Sequence, residues 1–227
     1  AALKHLPLLE TYPSEAFQTN VTGTLTLLEA AAEVGVGVFV NISTDKAANP
    51  ISVLGYSKRI AERITAQFGN TVSTGKYMSV RFGNVLGSRG SVLTSFRDQI
   101  ANGGPLTVTH RGVTRYFMTI SEAVQLVIQA GAIGKSGEAL VLDMGTPVSI
   151  FDVAKQLVAN SGKAIDIEIV GLRAGEKVHE ELFGDGETDI RPAHPLISHV
   201  VVPPIATAAV QALPIDARQS MIDLASS

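Results

Sequence analysis

The stretch Val38–Lys58, VFVNISTDKAANPISVLGYSK, decides how the rest of the chain is interpreted. Its first part, Val38–Ile42, is mostly apolar and β-branched, which predicts a buried parallel strand. Two hydroxyls, a carboxyl and an amine follow without a gap, as Ser43–Lys46. Because ligands of open α/β sheets bind at the carboxyl ends of the strands, we expect these side chains to carry chemistry.

The second part of the stretch predicts a helix. From about Ser52 the apolar residues recur at helical spacing, and the helix is expected to end near Phe68-Gly69-Asn70, with Gly69 as the stop signal. Leu54 and Lys58 are four residues apart, so they share one helix face. Tyr56, only two residues before Lys58, points roughly 200° away from it.

The motif Ser-Thr-Asp-Lys-Ala at a strand end, with Lys58 on the next helix, resembles the extended short-chain dehydrogenase/reductase superfamily. More narrowly, it resembles the nucleotide-sugar 4,6-dehydratases of the capsular polysaccharide biosynthesis protein type. The superfamily usually carries Tyr-x-x-x-Lys on this helix, which would place a tyrosine at position 54. Leu54 stands there instead, and the long dehydratases likewise carry an apolar residue, typically methionine. Leu54 therefore favours a dehydratase over an epimerase, because epimerases need the phenol.

The resemblance implies an α/β fold with a partial Rossmann-type parallel sheet flanked by helices and a smaller C-terminal substrate-binding lobe. Residues 1–84 would form the C-terminal part of the Rossmann-type domain, with the catalytic loop. Residues 85–202 would form a mixed sugar-nucleotide-binding lobe with returning sheet segments. For the tail, residues 203–227, the sequence predicts no definite structure. A homo-oligomer is the expected assembly.

The reaction implied by the resemblance is dehydration of a UDP-sugar, with UDP-N-acetylglucosamine as the expected substrate. NAD or NADP oxidises the C4 hydroxyl, water leaves across C5 and C6, and the hydride returns to C6. By resemblance, Lys46 is the base that takes the C5 proton and Asp45 is the acid that protonates the leaving hydroxyl. Thr44 would hydrogen-bond the C4 oxygen, and Lys58 would hold the nicotinamide ribose. From the residues alone, an exposed Asp-Lys pair that caps the following turn is the alternative.

Further cofactor and substrate contacts are implied by the same resemblance. A second predicted strand, Tyr77–Phe82, runs into a glycine-dense loop whose amides and Arg89 suit a phosphate group. A loop that needs glycine only for its turns would look similar. The implied cofactor contacts are Ser43, Lys58, Phe82 and Asn84, and the implied substrate contacts are Lys4, Asn84, Ser91, Val92, Arg115, Arg173 and Glu176.

Three of these residues have specific expected roles. The guanidinium group of Arg173 would make a bidentate contact with the diphosphate, and Glu176 would accept hydrogen bonds from ribose hydroxyls. Arg115 is expected to contact the diphosphate, and a surface salt bridge is the alternative. Arg111-Gly112 replaces the acidic and proline residues that usually precede this segment in the family, and Ser121 is predicted to cap the next helix.

Composition excludes several classes of function. The chain has 227 residues, enough for one domain or a domain and a small lobe, with 45% hydrophobic and 17% charged residues. A net charge of -3 gives no basic field for nucleic acid. The chain has no cysteine, which excludes disulfides and thiolate metal sites, and no metal site is predicted. Pro203-Pro204 interrupts the apolar tail, so no membrane span is predicted.

The opening segment, Ala1–Pro7, resembles an internal segment that follows the fourth strand of these dehydratases. We therefore expect the glycine-rich cofactor turn, and about half of the nucleotide-binding sheet, to lie upstream. Gly35-Val-Gly37 is no substitute, because it precedes a strand and lacks the third glycine. Alone, these residues are expected to bind NAD(P) weakly or not at all. The expected location is the cytoplasm, or the cytoplasmic membrane face if the complete protein has an anchor.

A long helix is predicted from Pro13 to about Val34, with Asn20 as a buried structural residue within its apolar stripe. His194 and His199 are expected to be surface or structural residues. Two other functions stay open beside the dehydratase. One is a nucleotide-sugar epimerase, and the other is a non-catalytic nucleotide-sugar-binding module or an inactive fragment.

Overall fold

A computed structural model describes residues 2–88, 90–212 and 218–226 of the chain. These residues form two compact units. Over the described residues, the first unit comprises Ala1–Phe82, Gln125–Asp143 and Glu181–Ser227. The second unit comprises Gly83–Val124 and Met144–Glu180. The predicted division after residues 84 and 202 stays a prediction.

The helices and strands are numbered in chain order. The helices are α1 (Leu6–Thr11), α2 (Pro13–Ala16), a π-helical segment (Phe17–Thr22), α3 (Gly23–Glu33), a 3-10 turn (Asp45–Ala47), α4 (Val53–Thr71), α5 (Val92–Ala101), α6 (Ile120–Ile133), α7 (Ile150–Ser161), α8 (Thr207–Gln211) and α9 (Arg218–Ser226). The strands are β1 (Val38–Ile42), β2 (Lys76–Arg81), β3 (Asn84–Val85), β4 (Leu106–Val108), β5 (Thr114–Arg115), β6 (Phe117–Met118), β7 (Glu138–Leu142), β8 (Val148–Ser149), β9 (Ile167–Ile169) and β10 (Ile197–Val201).

The first unit is built on a sheet with the strand order β1-β2-β7-β10. β1, β2 and β7 run parallel, and β10 is antiparallel to β7. Among the described residues β1 has a partner on one side only, and Val38 and Ile42 are 46% and 43% exposed. The prediction of a parallel strand is confirmed, but the prediction that it is buried is wrong at these two residues.

The predicted long helix forms, but it is not one regular α-helix. A π-helical segment, Phe17–Thr22, separates α2 from α3. The apolar stripe continues through this segment, since Phe17, Val21 and Leu25 are all buried. Segments of this kind inside helices are frequent at functional sites, and this one contains the predicted structural residue Asn20.

Helix α4 begins as the sequence predicts but ends later. Ser52 caps it by accepting a hydrogen bond from the Gly55 amide at 3.1 Å. The helix ends at Thr71, one residue beyond the predicted Phe68-Gly69-Asn70, and the prediction that Gly69 is the stop signal is wrong because this glycine lies within α4. A Cβ at Gly69 would lie 2.3 Å from the Gly137 nitrogen, so this glycine allows close packing and does not stop the helix.

The second unit has its own core, in which α5 and α7 pack with short strand pairs. The pairs are β3 with β6, β4 with β9 and β5 with β8. The predicted cap at Ser121 is wrong. Helix α6 begins at Ile120, and Thr119 exchanges hydrogen bonds with Glu122, which is a capping box.

Part of the C-terminal tail is also ordered against α4. Arg63, on α4, donates to the carbonyls of Pro203 at 3.1 Å and Leu224 at 2.5 Å. Residues 213–217 of the tail lie outside the described residues. Within the described part of the chain, none of the helices has the length and apolar character that crossing a membrane requires.

Candidate functional site

The 3-10 turn Asp45–Ala47 lies directly beyond the carboxyl end of β1. The backbone continues to pair with the neighbouring strand β2 there, since the Ser43 amide donates to the Val80 carbonyl at 2.7 Å. The Asp45 amide donates to the Phe82 carbonyl at 3.0 Å. These two bonds fix the start of the turn, so the backbone that bears the predicted acid and base is held by the sheet.

The side chains of this turn form a small hydrogen-bonded cluster. Asp45 Oδ1 accepts from Lys46 Nζ at 2.9 Å and from Thr44 Oγ1 at 2.8 Å. The Asp45 side chain is 0% exposed and that of Lys46 is 19% exposed. The alternative of an exposed Asp-Lys pair is therefore wrong. Asp45 Oδ2 is buried and has no hydrogen-bond partner among the described residues.

Helix α4 packs directly onto this turn at a glycine. A Cβ at Gly55 would lie 2.4 Å from the Lys46 carbonyl oxygen and 3.0 Å from Pro50 Cβ. Since real Cβ atoms do not approach backbone so closely, only glycine allows the helix and the turn to sit at this distance. The sequence patterns discussed above did not identify this requirement.

Lys58 joins the same end of β1. Its Nζ donates to the Ile42 carbonyl at 2.6 Å. Burial lowers the pKa of Lys58, and the charge of Glu62 acts against that shift. Leu54, one turn earlier on α4, is 6% exposed, while Tyr56 lies partly buried against the hydrophobic core of the first unit.

Asn20 ties the N-terminal segment to the helix that bears Lys58. Its side chain accepts from the Leu3 amide at 2.9 Å and donates to the Leu3 carbonyl and to Ser57 Oγ, both at 3.0 Å. The prediction of a buried structural role for Asn20 is confirmed. Lys4 directly follows Leu3, and the Lys4 side chain is exposed.

A buried ion network, defined as Arg59, Glu62, Arg81 and Glu187, lies one turn of α4 beyond Lys58. Arg81 donates to Glu62 at 3.0 and 2.7 Å and to Glu187 at 2.6 and 3.2 Å. Arg59 donates to Glu62 at 3.2 Å and to Glu187 at 2.8 Å. The sequence did not predict this network, because Arg81 and Glu187 lie far along the chain from Arg59 and Glu62.

The network controls the ionisation of its own members. Burial alone would raise the pKa of Glu62, but the charge and hydrogen bonds of Arg81 outweigh burial and lower it. In the same way, Arg81 outweighs the burial of Glu187 and lowers its pKa to about 2. The Arg81 side chain is 0% exposed and is paired within the first unit.

In the second unit, Arg115 and Glu176 are brought together. Arg115 Nη2 donates to Glu176 Oε1 at 3.0 Å, and Arg115 also donates to the Thr114 and Val178 carbonyls. The Arg115 side chain is 10% exposed, so the surface salt bridge is not what the structure shows. Glu176 also accepts from the Arg173 amide at 3.1 Å, which closes the turn that carries the exposed Arg173.

The other predicted residues of the second unit lie on separate elements. Asn84 is on β3, where its amide donates to the Tyr116 carbonyl at 3.0 Å. Ser91 caps α5, and Val92 is the first residue of that helix. Arg89 lies outside the described residues. The replaced segment Arg111-Gly112 forms a turn in which the Gly112 amide donates to His110 Nδ1.

Several of the predicted site residues therefore lie close together at the end of β1. The predicted catalytic residues Thr44, Asp45 and Lys46 lie on one turn, and Lys58 is bonded to the strand end just before it. Ser43 and Phe82 supply the backbone contacts of the same strand end. This cluster is the candidate active site, and it lies entirely within the first unit.

Comparison with known proteins establishes the family. Residues 1–202 match the model of a family described as polysaccharide biosynthesis protein. The chain belongs to this family. The resemblance seen in the sequence is confirmed by this match and by the relatives that share the capsular polysaccharide description.

Two similar curated proteins are bacterial polysaccharide biosynthesis proteins. The capsular polysaccharide biosynthesis protein CapD of Staphylococcus aureus is 54% identical over 190 residues, 82% of this chain and 32% of CapD. The probable polysaccharide biosynthesis protein EpsC of Bacillus subtilis (strain 168) is 52% identical over 200 residues, 87% of this chain and 33% of EpsC. The chain thus spans about a third of the length of these two relatives. A UDP-glucose 4-epimerase of Rickettsia akari (strain Hartford) is 38% identical over 185 residues, 80% of this chain and 54% of that protein.

Solved structures confirm the Rossmann-type α/β fold. The X-ray structure of Pen from Bacillus thuringiensis matches with a TM-score of 0.82 and 34% identity, covering 89% of this chain and 64% of Pen. DesIV, a dTDP-glucose 4,6-dehydratase from Streptomyces venezuelae with NAD and TYD bound, matches with a TM-score of 0.72 and covers 81% of this chain and 63% of DesIV. At 22% identity, the likeness to DesIV shows the fold alone.

Proposed function

We propose that the complete protein containing this chain is a nucleotide-sugar 4,6-dehydratase of bacterial polysaccharide biosynthesis, with UDP-N-acetylglucosamine as its substrate. One observation carries the proposal. A buried carboxylate and an amine, Asp45 and Lys46, are hydrogen-bonded at the end of β1. Leu54, one turn before Lys58, has no phenol to take over their role in proton transfer.

The chemistry of this pair suits an elimination. Once C4 of the sugar is a ketone, the hydrogen on C5 becomes acidic, and removing water needs a base at C5 and an acid at the C6 hydroxyl. Lys46 Nζ and Asp45 Oδ1 are 2.9 Å apart. A proton that moves from the ammonium to the carboxylate along this contact leaves a neutral amine and a carboxylic acid. Those are the forms that the elimination requires, and Thr44 donates to the same carboxylate oxygen.

The residues at the strand end also fit part of a nicotinamide cofactor. The Lys58 ammonium has three donors, and among the described residues one of them goes to the Ile42 carbonyl. The others suit the ribose hydroxyls, with Ser43 and Phe82 at the same strand end. When bound, NAD or NADP supplies hydride acceptance at C4 and hydride return at C6. The relatives' names support a sugar-nucleotide substrate, since one of them is a UDP-glucose 4-epimerase.

The product of the complete protein tests the proposal. Purified protein is incubated with UDP-N-acetylglucosamine and NAD or NADP, and the sugar is examined by NMR. We expect a 4-keto-6-deoxy sugar, and we expect none from the Lys46→Ala variant. Formation of a C4-inverted sugar instead would contradict the proposal and establish the epimerase.

The epimerase is the second candidate because a relative 38% identical to this chain carries that name. Leu54 disfavours it, since the position four residues before Lys58 offers no acidic hydroxyl. A third candidate is a non-catalytic sugar-nucleotide-binding module. Binding of UDP-N-acetylglucosamine in a calorimeter without any turnover, under conditions where the cofactor is bound, would favour that candidate.

A further inference from the structure

The buried ion network is connected to Lys58 through Glu62. Glu62 lies four residues after Lys58 on α4, so the two side chains share one helix face. The Glu62 side chain is 0% exposed, and both of its carboxylate oxygens accept from guanidinium groups. Glu62 is therefore a negative charge held in place one helical turn along α4 from Lys58.

Lys58 is itself held at the end of β1, because its Nζ donates to the Ile42 carbonyl at 2.6 Å. Helix α4 therefore carries both the lysine that is bonded to the strand end and, one turn later, the carboxylate of Glu62 that the two arginines hold.

We propose that Glu62 is a positioning residue for Lys58, and that Arg81 and Arg59 hold its carboxylate in place. The proposal rests on the proposed function, because Lys58 there holds the cofactor ribose. By this arrangement the negative charge keeps Lys58 an ammonium, with its donors directed at the strand end. Glu62 touches neither substrate nor cofactor and acts only through Lys58.

Electrostatics around Lys58 support this role. Burial lowers the pKa of Lys58, and the charge of Glu62 opposes the shift. The elements packed against α4 carry other charged groups, namely Glu10 on α1, Glu15 on α2, Glu29 and Glu33 on α3, Asp45 and Lys46 on the 3-10 turn, Lys76 and Arg81 on β2, Glu138 on β7, and Arg218 and Asp223 on α9. Asp45 is hydrogen-bonded to Lys46, and Arg81 is bonded to Glu62 and Glu187. Glu62 is the carboxylate whose charge acts on Lys58.

Glu187 provides a matched control. It binds the same two arginines as Glu62, its side chain is 6% exposed, and it lies on another segment of the chain. Glu62→Gln and Glu187→Gln each remove one carboxylate charge from the network and keep the shape of the side chain. A purely structural network predicts equal effects of the two variants. A positioning role predicts that only Glu62→Gln changes Lys58.

The test is an NMR titration of the Lys58 side chain in the complete protein with isotope-labelled lysine, assigned with a Lys58→Arg variant. Loss of the Glu62 charge disfavours the ammonium, so we expect the Lys58 midpoint to move to lower pH in Glu62→Gln and to stay in place in Glu187→Gln. We also expect KM for the cofactor to rise in Glu62→Gln more than in Glu187→Gln.

An unchanged Lys58 midpoint in Glu62→Gln, or an equal shift in both variants, would overturn the proposal. Circular dichroism checks that each variant folds. If Glu62→Gln does not fold, Glu62→Asp replaces it, because it keeps the charge but withdraws it by one methylene. A smaller shift in the same direction then supports the proposal, and no shift overturns it. The titration needs no turnover, so failure of the dehydratase function and failure of this inference are distinguishable.

Discussion

Two sets of buried charges at the ends of neighbouring strands are built in opposite ways. In the buried ion network each carboxylate oxygen of Glu62 and Glu187 accepts at least one hydrogen bond, and two arginines balance two glutamates. In the Asp45–Lys46 pair, Asp45 Oδ2 is buried and has no partner among the described residues. An unsatisfied buried oxygen costs stability, so its presence points to function, whereas the satisfied hydrogen bonds of the network stabilise the fold.

The largest expected effect separates the two sets by activity. If Lys46 is the base, Lys46→Ala should lower kcat by a factor of roughly 10²–10⁴, the usual contribution of a positioned acid or base. Turnover of UDP-N-acetylglucosamine by the complete protein is the measurement. Lys135→Ala, at an exposed lysine, is the control and should keep its activity. A Lys46→Ala enzyme with near-normal kcat would remove Lys46 from the reaction.

The network should show its effect in stability. Arg81→Met leaves Glu62 and Glu187 buried without their main partner, which should cost about 3–5 kcal/mol in the free energy of unfolding. Denaturant unfolding followed by circular dichroism measures it. Arg97→Met, at an exposed arginine of α5, should change stability by no more than about 0.5 kcal/mol. If Arg81→Met loses no more unfolding free energy than Arg97→Met, the network does not stabilise the fold.

A smaller effect is expected where helix α4 meets the 3-10 turn Asp45–Ala47. Gly55→Ala would place a methyl group 2.4 Å from the Lys46 carbonyl, and the forced shift should cost about 1–3 kcal/mol. It should also lower kcat, because the turn that moves carries the proposed acid and base. Gly37→Ala is the control, since nothing lies within 4 Å of a Cβ there. Full activity in Gly55→Ala would mean that the position of the turn is not critical.

The smallest of these effects is a dependence on acid. The pKa of Glu187 is lowered from 4.5 to about 2, so its contribution to stability is complete above about pH 4.5 and is lost as the pH falls toward 2. Glu187→Gln removes the titrating group, so the loss of stability over this range should be shallower than in the unmodified protein. Thermal unfolding at a series of pH values measures it. If stability falls equally steeply with falling pH in the two proteins, Glu187 is not the group whose lowered pKa stabilises the fold.

Local signals in the sequence were sufficient to place much of the candidate site. The β-branched run predicted β1, Ser52 predicted the start of α4, and the motif after β1 predicted where the acid and base would lie. Each of these features depends on residues close together in the chain. The sequence predicted the start of α6 two residues too late, because Thr119 caps this helix and Ser121 does not.

Features that depend on distant residues could not be predicted in this way. Arg81 meets Glu62 from 19 residues away and Glu187 from 106 residues away. Gly69 was taken for a helix end because its real constraint, the approach of Gly137, comes from another part of the chain. The exposure of β1 likewise depends on which strands lie beside it. Fold class and motif were therefore predictable, while burial and pairing of charges were not.

The most direct test of the contrast between the two sets is the unfolding free energy of Asp45→Asn in the complete protein. If the Asp45–Lys46 pair exists for reaction, this variant should lose turnover but keep its stability to within about 1 kcal/mol, because Lys46 is partly exposed to water. A loss of about 3–5 kcal/mol, as expected for Arg81→Met, would contradict the account and make the pair a structural ion pair.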